Sequence, residues 1–203
     1  MFPFEIHITV RARPEHLLVF TEACRSLKIK SIILELSAPD GDIADWMTSS
    51  VVLCRTLSEA RSHALRLRRR LEIAGLRVIR TKIEVPPWHP DVPTRENGKA
   101  FNEGQYIESH SALLLELDAV EDTRRFVQGC GGHLSRNPRK VSPDGVIVMC
   151  TLRHKIPLED FHDKLRALLG QLRAVDPQVG GKTIVEFAIW DSHEHHDHKW
   201  LNG

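Results

Sequence analysis

The chain has 203 residues, enough for one large domain or two of about a hundred residues each. An apolar fraction of 41% and a charged fraction of 27% fit a folded globular protein and exclude extended disorder. Lys and Arg number 28 against 27 Asp and Glu, so a formal charge of +1 gives no global field drawing the chain to nucleic acid or an anionic membrane.

Met1-Phe2-Pro3-Phe4-Glu5 has no basic region followed by a long apolar run, and no stretch approaches the length of a membrane span. Cys24, Cys54, Cys130 and Cys150 lie far apart without C-x-x-C spacing, which predicts reduced thiols rather than a disulfide framework or a zinc site. A cytoplasmic protein is the expectation.

Phe4 to Val10 alternates, with Phe4, Ile6, Ile8 and Val10 on one face and Glu5, His7 and Thr9 on the other, as a strand requires. Pro14 to Leu27 has helical spacing, with Pro14 and Glu15 suited to the first turn. Lys30 to Leu36 reads as a second strand, Ala38 to Asp42 as a turn and Ser49 to Arg55 as a third strand. Ser58 opens the longest helix, which runs to about Ala74 with Gly75 as its stop. Arg77 to Val85 is the fourth strand, completing βαββαβ, the order of a ferredoxin-like unit.

The second half repeats the order. Tyr106 to Leu117 is a strand, Val120 to Cys130 a helix, His133 to Val141 a weaker strand containing Pro138, and Pro143 to Gly145 a turn. Val146 to Arg153 is a strand, Pro157 to Val175 a helix and Thr183 to Trp190 the last strand. The predicted class is α+β: tandem duplicated ferredoxin-like repeats over 1–85 and 106–192, antiparallel sheets with helices on one face. Residues 86–105 form a Pro-rich linker, expected to be extended and to mark the domain boundary, and 193–203 a His-rich tail.

The halves also repeat their ionisable groups in phase. Glu5-Ile6-His7 matches Glu108-Ser109-His110, and Glu84 matches Glu186 within Arg80 to Val85 and Lys182 to Phe187. In a 4-1-3-2 sheet the first and fourth strands are neighbours. The face away from the helices then carries Glu5, His7, Thr9, Arg80, Lys82 and Glu84 in one repeat, and Glu108, His110, Ala112 and Glu186 in the other. Two such faces stacked together would enclose Glu and His in a partly desolvated cleft, where pKa values shift towards neutrality. His7, His110, Glu5, Glu108, Glu84 and Glu186 are therefore the candidate acid–base residues, and His7 and His110 are candidate ligands for a divalent metal. A Glu and a His two apart on a strand also form an ordinary polar pair on a solvated sheet, so in-phase repetition is what raises the functional reading.

His7-Ile8-Thr9-Val10 resembles the His-x-Thr-hydrophobic motif of the 2H phosphoesterases, duplicated enzymes acting on cyclic phosphodiesters and 2′,5′-linked nucleotides. The resemblance implies one His as base, the other as acid and a Thr9 hydroxyl on phosphate; in the second half Ala112 stands where the second hydroxyl belongs, and Ser111 points to the other face. His133-Leu134-Ser135-Arg136-Asn137 and Trp190-Asp191-Ser192 resemble segments of an uncharacterised bacterial family of duplicated proteins, which implies no activity.

His133, Arg136 and Asn137 crowd donors into one segment, candidates with Thr9 for a substrate's anionic group; a charged edge strand is the competing reading. Asp191 and His193 to His198 would collect zinc or nickel adventitiously but read as a solvated terminus. Arg61, Arg66, Arg68, Arg69 and Arg70 read as a solvated helix face, so nucleic acid is disfavoured. Three functions follow: a small-molecule enzyme using a His/Glu acid–base or metal site between the lobes, a non-catalytic ligand-binding or interaction module that leaves room for a homo-oligomer, and a cyclic phosphodiesterase.

Overall fold

Side-chain alternation decides which face of each strand meets the helices, and the computed structural model follows it from the first strand. The structure describes residues 1–11, 13–38, 41–136, 142–175 and 182–194. The first repeat consists of β1 (Phe2–Val10), α1 (Leu17–Leu27), β2 (Lys30–Ala38), β3 (Gly41–Cys54), α2 (Leu57–Ile73) and β4 (Val78–Val85). The second consists of β5 (Tyr106–Leu115), α3 (Ala119–Gly129), β6 (Gly132–Arg136), β7 (Val146–His154), α4 (Leu158–Val175) and β8 (Thr183–Asp191). The fold is α+β with antiparallel strands, as the hydrophobic pattern predicts.

Phe4, Ile6 and Ile8 of β1, with Ile83 and Val85 of β4, are buried in the core that also holds Phe20 of α1 and Leu71 of α2. Phe161 of α4 and Phe187 of β8 are buried in the same way. Burying a side chain of this size contributes roughly 1.5–3 kcal/mol. The Thr56 hydroxyl caps α2 by accepting from the Glu59 N–H at 3.2 Å, and the Glu59 carboxylate accepts from the Arg55 N–H at 2.8 Å. The cap is thus two residues before Ser58. At the other end Gly75, at φ +84°, takes the left-handed conformation that a helix stop favours.

Each repeat has the expected strand order, β4-β1-β3-β2 and β8-β5-β7-β6. The sheets meet by their edges rather than by stacked faces. β4 pairs with β8 through Lys82↔Asp191 and Val85↔Phe187, and β2 pairs with β6 through Glu35↔Arg136 and Leu36↔Ser135. These two seams close one eight-stranded barrel, leaving no open edge and curving the polar faces around a common interior.

The β4–β8 seam carries a bulge. Glu84 pairs with Ala188 but Ile83 with Trp190, so Ile189 is the extra residue. Beyond it the faces of β8 exchange: Trp190 turns out towards α2 and Asp191 turns in beside Lys82.

The linker departs from the extended form expected of it. It folds into successive turns, with His89 N–H donating to the Pro86 carbonyl, Val92 N–H to His89 and Gly98 N–H to Thr94. Val92 and His89 are buried, the His89 ring lying 4.6 Å from Phe2 and 5.6 Å from Phe4. Leu158 N–H donates to the Pro93 carbonyl, tying the segment to α4. Burial of these side chains outweighs the extended preference of a Pro-rich stretch. Among the described residues the four cysteines are unpaired and no helix is long and apolar enough to cross a membrane.

Candidate functional site

The inner faces of the strands carry the paired ionisable groups. On β1, His7 Nδ1 lies 3.1 Å from the Thr48 carbonyl oxygen, which can only accept, so Nδ1 carries a proton. Its Nε2 lies 2.8 Å from Glu84 Oε2 on β4 and 3.5 Å from Glu5 Oε1. The His7 imidazole and the Glu84 carboxylate thus face each other across neighbouring strands. Ser49 donates to Glu5 Oε1 at 2.6 Å.

The second triplet builds a different environment. Glu108 is fully buried, and its Oε2 accepts from Arg153 Nη2 at 2.8 Å and Nε at 3.1 Å. Its Oε1 meets His110 Nε2 at 3.1 Å and the Lys82 ammonium. Lys82 Nζ also lies 3.0 Å from Glu84 Oε1, so one line of contacts runs His7, Glu84, Lys82, Glu108, His110 across the seam between repeats. The two imidazoles do not touch; His110 Nδ1 lies 3.0 Å from Thr151 Oγ1. Burial opposes the Lys82 charge, but Glu108 and Glu84 outweigh it and hold the ammonium well above its ordinary value. Burial likewise opposes the Glu108 charge, yet Lys82, Arg153 and His110 hold that carboxyl well below the usual range. A lysine kept protonated in this way does not serve as a nucleophile.

Glu186 behaves oppositely. Burial, followed by the charges of Glu84 and Glu5, pushes its carboxyl up to about 8. It lines a cavity of about 290 Å³ at one end of the barrel, together with Glu5, Glu84, Val51, Ile184 and Pro87. At neutral pH the cavity thus holds a protonated carboxyl beside the Glu84–His7 pair.

This shift fixes a pH dependence. The folded state binds the Glu186 proton more tightly than the unfolded chain, whose carboxyl titrates at its ordinary 4.5. Glu186 therefore contributes stability that is fully present below pH 4.5 and is lost as pH rises to about 8. Glu186→Gln should flatten that decline, leaving the variant more stable than the parent at pH 9 and close to it at pH 5. Urea melts at the two pH values measure this; equal differences at both would remove the assignment.

Glu84, Glu108 and His110 bring ligand atoms within 4.8 Å of one another, so this trio, without His7, is the metal-like group among the described residues. Of the two histidines expected to act as metal ligands, His110 belongs to this trio, while His7 stands beside it with Nε2 turned to Glu84 and Glu5. Lys82 already contacts both carboxylates of the trio, and a divalent ion there would have to displace its ammonium.

Thr9 is buried and lies in register with Arg80 on the inner side. His133 pairs with Thr151, the residue that meets His110, and so also faces inward. Arg136 falls on the opposite face by alternation and is exposed, so it does not join the interior. Asn137 lies outside the described residues, as do Arg139, Lys140 and the His-rich stretch 195–203.

The sequence placed Arg80 and Lys82 on this face without giving them a role, and it did not place Arg153, Tyr106 or Asp191 there. Arg153 and Lys82 are named above. Arg80 forms the third part with a bidentate pair to Asp191, Nη2 to Oδ2 at 2.6 Å and Nε to Oδ1 at 3.0 Å, while the Tyr106 hydroxyl donates to Asp191 Oδ2 at 2.7 Å. The Arg153 guanidinium lies over the Tyr106 ring at 4.1 Å. Alternation along β7, with Thr151 and Arg153 opposite Cys150 and Leu152, is a signal that could have found Arg153.

No protein-family model matches the chain, and no curated protein matches it. Among solved structures it is similar to the regulatory subunit of aspartate kinase from Thermus thermophilus, at 12% identity over 82% of this chain and 91% of that one, with a TM-score of 0.33. It is similar to the acetolactate synthase small subunit from Thermotoga maritima at 12% identity, 91% and 96% coverage and a TM-score of 0.30. A protein of unknown role from Galdieria sulphuraria gives 9% identity, 92% and 97% coverage and a TM-score of 0.29. Likenesses this low carry no function. The resemblance to the 2H phosphoesterases also finds no support: no family model matches, and the two imidazoles each face a carboxylate instead of a shared phosphate position.

Proposed function

We propose that the barrel mouth takes up a small molecule and moves protons on it, with Glu186 as the acid and Glu84, backed by His7, as the base. The observation that supports this reading is the meeting of Glu5, Glu84 and Glu186 on one cavity of about 290 Å³. Small-molecule sites run from about 300 to 1,000 Å³, so the volume suits a small ligand. A carboxyl that keeps its proton at neutral pH, set beside a second carboxyl group, is an arrangement that acid–base exchange uses.

The lining also limits the ligand. Val51 and Ile184 are 60% and 40% exposed at the mouth, with Pro3 and Pro87 beside them, which favours an apolar body. Ionised carboxylates only accept hydrogen bonds, so the head group should be a donor such as an amine or hydroxyl. A phosphodiester would meet like charge.

Incubating the full chain in D₂O with a panel of small amino ketones, hydroxy ketones and plain ketones, read by mass spectrometry, tests the reading. Deuterium should enter a carbon-bound position of at least one class and should stop doing so in Glu186→Gln and His7→Ala. A second reading, binding without turnover, is supported by the close pairing of Glu108 with both Lys82 and Arg153, which commits those charges to each other. Ligands that raise the melting temperature without deuterium exchange decide for the second reading; neither effect with any class removes both.

A further inference from the structure

A separate cavity of about 300 Å³ lies outside the barrel, between α2 and the outer face of the β4–β8 seam. Ser58, Arg61, Ser62 and Arg68 of α2 form one wall, and Thr81 and Trp190 form the other. The bulge at Ile189 creates it by turning Trp190 outward. The proton-transfer reading does not use this groove.

Two independent observations mark the groove as a ligand site. The first is charge. Arg68 is tied to Glu72 at 2.9 Å, whereas no carboxylate lies within ion-pair distance of Arg61 among the described residues. The Arg61 guanidinium instead lies over the Trp190 ring at 4.7 Å. Ser58 stands in the first turn of the 17-residue α2, where the helix dipole adds positive potential. The second is a buried orphan. Thr81 is 4% exposed, lines the groove, and its hydroxyl has no hydrogen-bond partner. Its backbone N–H is already occupied by the Ser192 hydroxyl at 2.8 Å. Buried hydroxyls are ordinarily satisfied, and this oxygen, shielded from solvent in the free protein, is without a partner on the strand that lines the groove.

We infer that the groove binds a small aromatic anion, its carboxylate or phosphate on Arg61 and the Thr81 hydroxyl, and its ring against Trp190. Arginine pairs with either head group in a forked geometry, and a planar ring adds stacking to the existing cation–π contact. Thr81 lies between Arg80 and Lys82, so the ligand would touch the strand segment whose other face bears the interior cations.

The test uses benzoate and phenyl phosphate as probes, with inorganic phosphate and benzyl alcohol as controls, on the full chain by calorimetry and tryptophan fluorescence. At least one probe should bind saturably and change the fluorescence, and neither control should match it. Arg61→Gln, a surface change, should weaken binding by about tenfold or more. Thr81→Val should weaken it several-fold while leaving the melting temperature of the free protein unchanged or higher, because an unsatisfied hydroxyl is removed at constant shape. The proposal is overturned if neither probe binds below about 10 mM, if both variants bind like the parent, or if inorganic phosphate binds as tightly as phenyl phosphate, an adventitious ion only.

Discussion

Glu108→Ala should cost about 3–5 kcal/mol of folding stability, the usual result of removing one partner from a buried ionic group. The side chain is fully buried and satisfies Arg153 at 2.8 Å, His110 at 3.1 Å and the Lys82 ammonium at once. Its loss leaves Arg153, whose side chain is 9% exposed, without that carboxylate, and leaves Lys82 to Glu84 alone. Lys82→Met added to Glu108→Ala should restore part of the loss, since one of the stranded cations disappears with its partner. The pH dependence follows from the lowered Glu108 carboxyl. The folded state releases that proton more readily than the unfolded chain, so the contribution is present above the ordinary 4.5 and is lost as pH falls through the depressed folded value. Denaturant melts at pH 7 and at pH 3 should therefore show a large Glu108→Ala difference at the higher pH and a smaller one at the lower. A difference under about 1 kcal/mol at pH 7 would mean that the line of contacts across the seam is a surface-like pair of little weight.

The inward placement of Glu5, His7, Glu84, Glu108, His110 and Glu186 was legible because period-two alternation is local, the apolar face of β1 is unambiguous, and the second half repeats the first in phase. The βαββαβ order was legible for the same reason. What could not be read is what depends on long-range register. Nothing local says that β4 pairs with β8, and without that pairing Lys82 cannot be matched to Glu108. Arg153 lies near the end of a largely apolar strand and acquires its meaning only from the carboxylate opposite. Asp191 is the sharpest case. Counting from Glu186 puts it on the outer face, and the single extra residue Ile189 turns it inward. The α2 cap was misplaced by two residues because Ser58 and Thr56 are both good caps, and the choice rests on which hydroxyl reaches the Glu59 N–H. The linker was read from composition, whereas its turns are set by His89 and Val92 finding the core.

Asp191→Ala is expected to destabilise by a similar amount, about 3–5 kcal/mol, through a different part of the barrel. Asp191 takes two hydrogen bonds from Arg80 on β4 and one from the Tyr106 hydroxyl on β5, and it also accepts from the His193 N–H at 3.0 Å. Burial opposes its charge, but the Arg80 bonds, the His193 N–H and Tyr106 hold the carboxyl below its ordinary 3.8. Its contribution is therefore complete above that value and is lost as pH falls. Because the pair ties the last residue of β8 to β4, the damage should concentrate at one seam. Amide exchange along β4 and β8 should accelerate well beyond that of β2 and β3, whose hairpin shares no contact with the missing carboxylate. Asp191→Asn keeps the shape and one acceptor oxygen, so it should fall between the parent and Asp191→Ala. A uniform rise in exchange across all strands would show that Asp191 stabilises the fold globally and that the seam has no separate integrity of its own.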